Sequence, residues 1–292
     1  MENCNRKHDK MQINKLELQK LNTRGLIAGP GESEEAFLSR IAYCLKLKET
    51  LIPDELIPSK CREDGEKVLE RALPLSNKIF NITPDWVPCF ITNYKLAPWH
   101  GAVAWIFQEK KETPPGAFLQ IRRTLPPWYK KEELIAHELA HVGRMQFEER
   151  RFEEMLAYES SKRGWQRYLG PLIRAPWESL LFVTLLLCIL LLDFLGGASL
   201  YYKLLPLKLI PVGLIGLASL RLYLTRRTYA HAKEKLAKIL HSSEVALHVL
   251  YRLTDNEIVT LAKLPQEKIV DFIEEKKGSE IRWEQIYPYF LR

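Results

Sequence analysis

The chain is poor in cysteine, and the few it has carry no framework. Cys4, Cys44, Cys61, Cys89 and Cys188 are odd in number and widely spaced. That pattern excludes a disulfide scaffold and a zinc knuckle and favours a reducing compartment. The first twenty residues are charged and lack the apolar core of a secretory signal. No internal repeat and no recognisable nucleic-acid-binding module is present. The excess of one charge sign is small: 43 Lys plus Arg against 36 Asp plus Glu leave a formal charge of +7. Such a balance suits anionic lipid headgroups as well as nucleic acid. Because the lysines are scattered, nucleic acid is not an expected partner. A length of 292 residues with 47% hydrophobic content excludes disordered and fibrous architectures.

What the sequence does have is apolar residues concentrated in one region. Ser179 to Leu195 is almost continuously apolar, and extension to Pro176 and Ala198 gives the roughly 20 residues of one bilayer crossing. A second stretch, Leu204 to Leu224, carries Lys208 together with Gly213, Gly216, Ala218 and Ser219, small residues that suit close helix packing. The link from Gly196 to Lys203 is expected to turn the chain into a helical hairpin. Lys162, Arg163, Arg167 and Arg174 precede it, and Arg221, Arg226, Arg227, Lys233 and Lys235 follow it. The positive-inside tendency then puts both termini in the cytoplasm, at an inner or cytoplasmic membrane. The plainer alternative is a buried helical pair in a large soluble core. Asp193 is expected at the membrane interface rather than as a functional carboxylate within it.

The rest of the chain divides around this hairpin. Residues 1–30 are expected to be a polar tail or short helix, 31–175 a compact domain, 176–226 the hairpin, and 227–292 a cytosolic helical segment ending in an aromatic cluster. Within 31–175 a helix is predicted from Ser33 to Lys48. Strands are predicted over Trp86 to Tyr94, Gly101 to Gln108 and Gly116 to Arg123, as a small antiparallel sheet. A helix from Lys130 to Gln146 follows, then a solvated charged turn at Glu148 to Arg151 and a second helix from Phe152 to about Tyr168. The fold class is α+β.

The chemistry resides in His137-Glu138-Leu139-Ala140-His141. Residues four apart share a helix face, so His137 and His141 can present two imidazoles to one zinc ion while Glu138 approaches the water it activates. Leu134, Ile135, Leu139, Ala140 and Val142 supply the apolar side that would hold this helix in a domain, against the alternative of surface histidines on an amphipathic helix. A third protein ligand would leave one zinc position open. The next helix offers Glu153, Glu154 and Glu159.

At these residues, and at Glu154-Met155-Leu156-Ala157-Tyr158, the chain resembles the HExxH zinc metallopeptidases with a glutamate third ligand, the gluzincins. The resemblance implies a compact zincin-like domain binding one zinc ion per chain, with His137, His141 and Glu154 as ligands and Glu138 as general base. Tyr158 stands where the family usually has an acidic residue, so the contact that orients a histidine comes from its hydroxyl or from elsewhere. Glu159 keeps a rival claim to the third position, whereas Glu153 would point roughly 100° away from Glu154. The family also binds extended substrate along an edge strand, for which Gly101 to Gln108 and Gly116 to Arg123 are both candidates. His100, Tyr129, Arg144 and Tyr168 are candidates to stabilise an oxyanion. The expected function is a membrane-anchored zinc metallopeptidase acting on peptide or protein on the cytosolic side of the bilayer; the alternative is a non-catalytic membrane scaffold or adaptor with a structural metal.

Overall fold

The computed structural model describes residues 13–49, 57–61, 63–108, 113–127, 129–203 and 205–291. The first twelve residues of the expected tail lie outside the described residues. Those that follow do not project as a tail. Helix α1 (Lys15–Thr23) starts on Asn14, whose side chain accepts from the Leu16 N–H, and buries Leu18 and Leu21; Leu26, Ile27 and Ala28 are buried after it. Enough apolar residues sit among the charges to dock this segment. Helix α2 (Glu34–Lys46) is capped by Ser33 and buries Phe37, Arg40, Ile41 and Cys44, a helical stripe at intervals of three and four.

Strand β1 (Glu63–Asp64) and helix α3 (Glu66–Phe80) lead to β2 (Cys89–Ile91), β3 (Ala102–Phe107) and β4 (Gly116–Ile121). The sheet order is β1-β2-β4-β3. It is mixed rather than antiparallel: β2 runs parallel to β4, and the other two pairings are antiparallel. Every residue of β4 is buried, as expected of a strand with a neighbour on each side. Helix α4 (Lys131–Gly143) packs between α3 and the sheet, burying Ile135, Ala136, Leu139, Ala140 and Val142.

The expected second helix is broken. Helix α5 (Glu153–Ala157) passes into one turn of 3-10 helix at Tyr158–Ser160, Ser161 is extended, and α6 (Gly164–Leu169) restarts. Serine hydroxyls compete locally with helix continuation: Ser160 Oγ donates to the Glu133 carbonyl and Ser161 Oγ to Gln166 Oε1.

Two long helices follow, α7 (Pro176–Lys203) and α8 (Leu205–Leu240). Gly196–Lys203, expected as a link, is helical, and α8 runs well past residue 226. Both are long and apolar enough to cross a membrane; only 6% of the apolar part of α7 and 11% of that of α8 is buried in the protein. A core pair in a soluble domain would be covered. Two ion pairs join the hairpin: Arg221 grips both oxygens of Glu178 at 2.7 and 2.9 Å, and Lys208 Nζ lies 2.8 Å from Asp193 Oδ2.

Helices α9 (Ser243–Leu250), α10 (Asp255–Lys263), α11 (Glu267–Lys276) and α12 (Ile281–Ile286) complete the chain. They are not a separate segment. Gln285 pairs with the backbone of both Leu26 and Ala28, and Arg252 donates to Asn22 Oδ1 and to the Phe80 carbonyl. The two ends of the sequence and the middle thus form one packed body on the same side of the hairpin.

Candidate metal centre

Helix α4 turns its apolar side to the sheet and α3, and the opposite side carries His137 and His141. Their Nε2 atoms lie 3.3 Å apart. Glu154, in the first turn of α5, puts Oε2 3.7 Å from His137 Nε2 and Oε1 3.6 Å from His141 Nε2. All three donor atoms lie within 4.8 Å of one another, and the cluster could hold a metal ion. Ligands bonded at about 2.0–2.1 Å to a tetrahedral ion stand about 3.4 Å from each other, so the spacing fits one ion with no rearrangement of the backbone. Two imidazoles and one carboxylate are also a donor set that suits zinc and related transition metals.

The rings are oriented from behind. His141 Nδ1 lies 2.8 Å from Glu153 Oε1, which directs the Nε2 lone pair toward the cluster. His137 hydrogen-bonds the Ala157 backbone. The roughly 100° of helix rotation between adjacent residues sends Glu154 to the inner nitrogens and Glu153 to the outer nitrogen of His141. Tyr158 contributes its ring, edge-on to His137 at 4.6 Å between centroids. We expect Glu153→Gln to weaken metal affinity by about 10–100-fold while the protein stays folded, measured by competition with a chromogenic chelator. Glu159→Gln should leave affinity unchanged. Glu159 faces away from the cluster, accepting from the Tyr229 hydroxyl at 3.2 Å with Lys233 at 3.6 Å.

Charge in the cluster is unbalanced in favour of a cation. Burial first, then the neighbouring His141, pushes His137 down to about 3. Burial also opposes charge on His141, but the Glu153 hydrogen bond with the Glu154, Glu153 and Glu138 carboxylates outweighs it and lifts the ring to about 9. Burial raises Glu138 and Glu154 above the ordinary carboxylate range. The His141 ring thus stands among the carboxyl groups of Glu138, Glu153 and Glu154, a donor set into which a metal ion could fit.

Glu138 is not part of the converging set. Its Oε2 accepts from the Ala104 N–H of β3 at 2.8 Å, which fixes the carboxylate between the strand and the histidines. Because Ala104 N–H serves Glu138, and the carbonyl of Gly101 accepts from Arg122 on the β4 side, residues 102, 104 and 106 turn their backbone groups toward the open edge. Of the two candidate strands, β4 is enclosed between β2 and β3 and has no edge to offer; β3 is the outer strand.

A cleft of about 260 Å³ opens over this arrangement, with His100, Tyr129, Lys130 and Leu134 on one wall and Tyr158, Trp165 and Gln166 on the other. His100 and Tyr129 therefore share this cleft with His137 and Glu138. Arg144 does not: it is buried and donates to the Tyr251 and Leu253 carbonyls. Tyr168 is exposed under Arg226 rather than in the cleft.

The C-terminal helices brace the site, a role that no sequence motif signals. Tyr251 Oη donates to the Ala140 carbonyl at 2.8 Å, within α4 and between the two histidines. Asp255 accepts from the N–H groups of Arg151 and Phe152 immediately before α5. The turn at 148–151 is thus not merely solvated, since Glu149 also accepts from the Asp255 N–H at 2.6 Å. Comparison of the chain with known protein families, with curated proteins and with solved structures finds no match.

Proposed function

We propose that the protein is a zinc metallopeptidase anchored in a membrane by the α7–α8 hairpin, hydrolysing peptide bonds on the cytosolic side. The observation that carries this reading is the convergence of His137, His141 and Glu154 beside a separately held Glu138. The gluzincin-like motif pair points the same way.

His137, His141 and Glu154 would hold one zinc ion per chain. When bound, zinc supplies Lewis acidity toward a carbonyl and makes water nucleophilic near neutral pH. Glu138 accepts the water's proton on its carboxylate and delivers it to the leaving amine. The open edge of β3 pairs with an extended substrate, and the walls of the cleft hold its side chains. His100 and Tyr129 line the cleft and are the candidates to steady the oxyanion. The basic flanks of the hairpin favour cytoplasmic termini at an inner or cytoplasmic membrane. The bilayer and a peptide or protein substrate are the partners, and the charged metal-site helices keep cleavage outside the hydrocarbon layer.

Metal analysis of the detergent-purified protein, with cleavage of an unbiased peptide library, tests the reading. Near one zinc per chain is expected, with cleavage abolished by chelation and restored by zinc. Folded protein supplied with metal that takes up none and cleaves nothing would favour the scaffold alternative.

A further inference from the structure

The α6 side of the cleft continues into apolar side chains that are exposed among the described residues, with Arg226 lying over one face of the Tyr168 ring. Trp165 (62% exposed), Tyr168 (54%) and Leu169 (51%) occur at intervals of three and four and form one face of α6. Ile173 (49%) and Trp177 (59%) extend the patch into α7, the first apolar helix. The level of α6 is fixed by hydrogen bonds. Arg226 donates to the carbonyls of Tyr168 and Arg167, and Arg221 ties the Leu172 carbonyl and Glu178 to α8. Arg226 stands five residues beyond Arg221, about 7.5 Å along the helix. Glu178 marks the start of the apolar stretch, and the headgroup layer beyond it is about 5–8 Å deep. From Lys162 to Trp177 the sequence contains no acidic residue but has Lys162, Arg163, Arg167 and Arg174.

We infer that α6 is an interfacial shelf, seated among the headgroups of an anionic bilayer by Trp165, Tyr168 and Leu169. Trp and Tyr favour this level because an apolar ring and a polar edge are both satisfied there, and the basic residues add attraction to anionic lipid. Since Trp165 and Gln166 also line the cleft, the metal site opens at the membrane surface. The inference rests on the membrane anchoring proposed above but not on peptidase activity.

Full-length protein reconstituted in phosphatidylcholine and phosphatidylglycerol vesicles, with and without acyl-brominated lipid, tests it. The tryptophan emission difference between wild type and Trp165→Phe should fall at least twofold in brominated vesicles, and Tyr168→Trp should add emission quenched to the same degree. Emission from both positions that bromination leaves unchanged, in protein that floats with the vesicles, would overturn the shelf while leaving the anchor standing; crosslinking from position 168 to a second copy would then assign the face to protein. Failure to float would overturn anchor and shelf together. Quenching in a protein without metal or cleavage would sustain the shelf and remove the peptidase.

Discussion

If the proposed zinc peptidase reading holds, glutamine at position 138 is expected to leave zinc bound and to slow cleavage about 10²–10⁴-fold, the range set by loss of a positioned general base. Glu138 lies beside the three converging ligands and is held by the Ala104 N–H. A glutamine carbonyl can accept that same hydrogen bond, so β3 and α4 keep their relation while the proton acceptor is lost. Metal content and kcat measured on one preparation separate the two effects. His141→Ala is the contrast, losing metal as well as activity. Zinc lost from Glu138→Gln would make position 138 a ligand, and unchanged turnover would remove it from the chemistry.

The second large effect concerns folding. Glu257 accepts four hydrogen bonds at 2.8–2.9 Å: two from Arg282, one from Trp283 Nε1 and one from the Thr254 N–H. The Arg282 side chain is 1% exposed. Glu257→Ala removes the bidentate partner of a buried guanidinium, leaving it only Glu280 at 3.3 Å and the Arg252 carbonyl, and also removes half of a capping box at α10. A loss of about 3–5 kcal/mol follows for a broken buried pair, lowering the melting temperature by on the order of 10 °C. Lys238→Ala, which breaks an exposed pair with Glu234, should leave melting unchanged. The pH dependence has a defined sign. Burial works against the Glu257 charge, but Arg282, the Thr254 N–H and Trp283 outweigh it and hold the carboxyl below its ordinary value of 4.5. Its contribution is therefore complete above pH 4.5 and lost as the pH falls through the folded value. Melting of wild type should drop in that acid window more steeply than melting of Glu257→Ala; parallel curves would show that the pair is not what acid breaks.

Local signals carried much of this organisation. The four-residue spacing of His137 and His141, the apolar stripe of α4 and the apolar run of α7 up to about Ala198 depend on neighbours in sequence, and each can be read locally, whereas the continuation of α7 to Lys203 could not. Glu154 required only that a short turn return the chain. The role of Glu153 was hidden because helix geometry gives the angle between adjacent side chains but not what stands at each angle. The broken helix after α5 depended on two serine hydroxyls finding Glu133 and Gln166. Long-range contacts were beyond local pattern: the parallel pairing of β2 with β4 joins residues 30 positions apart, Tyr251 and Asp255 reach back 111 and 103 positions to Ala140 and Phe152, and α1 docks on Gln285 across 263.

That last grip has a consequence for the order in which the molecule is made. The ligands lie before the hairpin and the residues that lock them lie after it, so a ribosome delivers His137, His141 and Glu154 long before Tyr251 and Asp255. With the hairpin in a bilayer, both crossings must be threaded before the brace can reach the site. On the proposed anchoring, the chain would be threaded into its bilayer before Tyr251 and Asp255 could reach the His137, His141 and Glu154 cluster, so the brace on the candidate metal centre would form last.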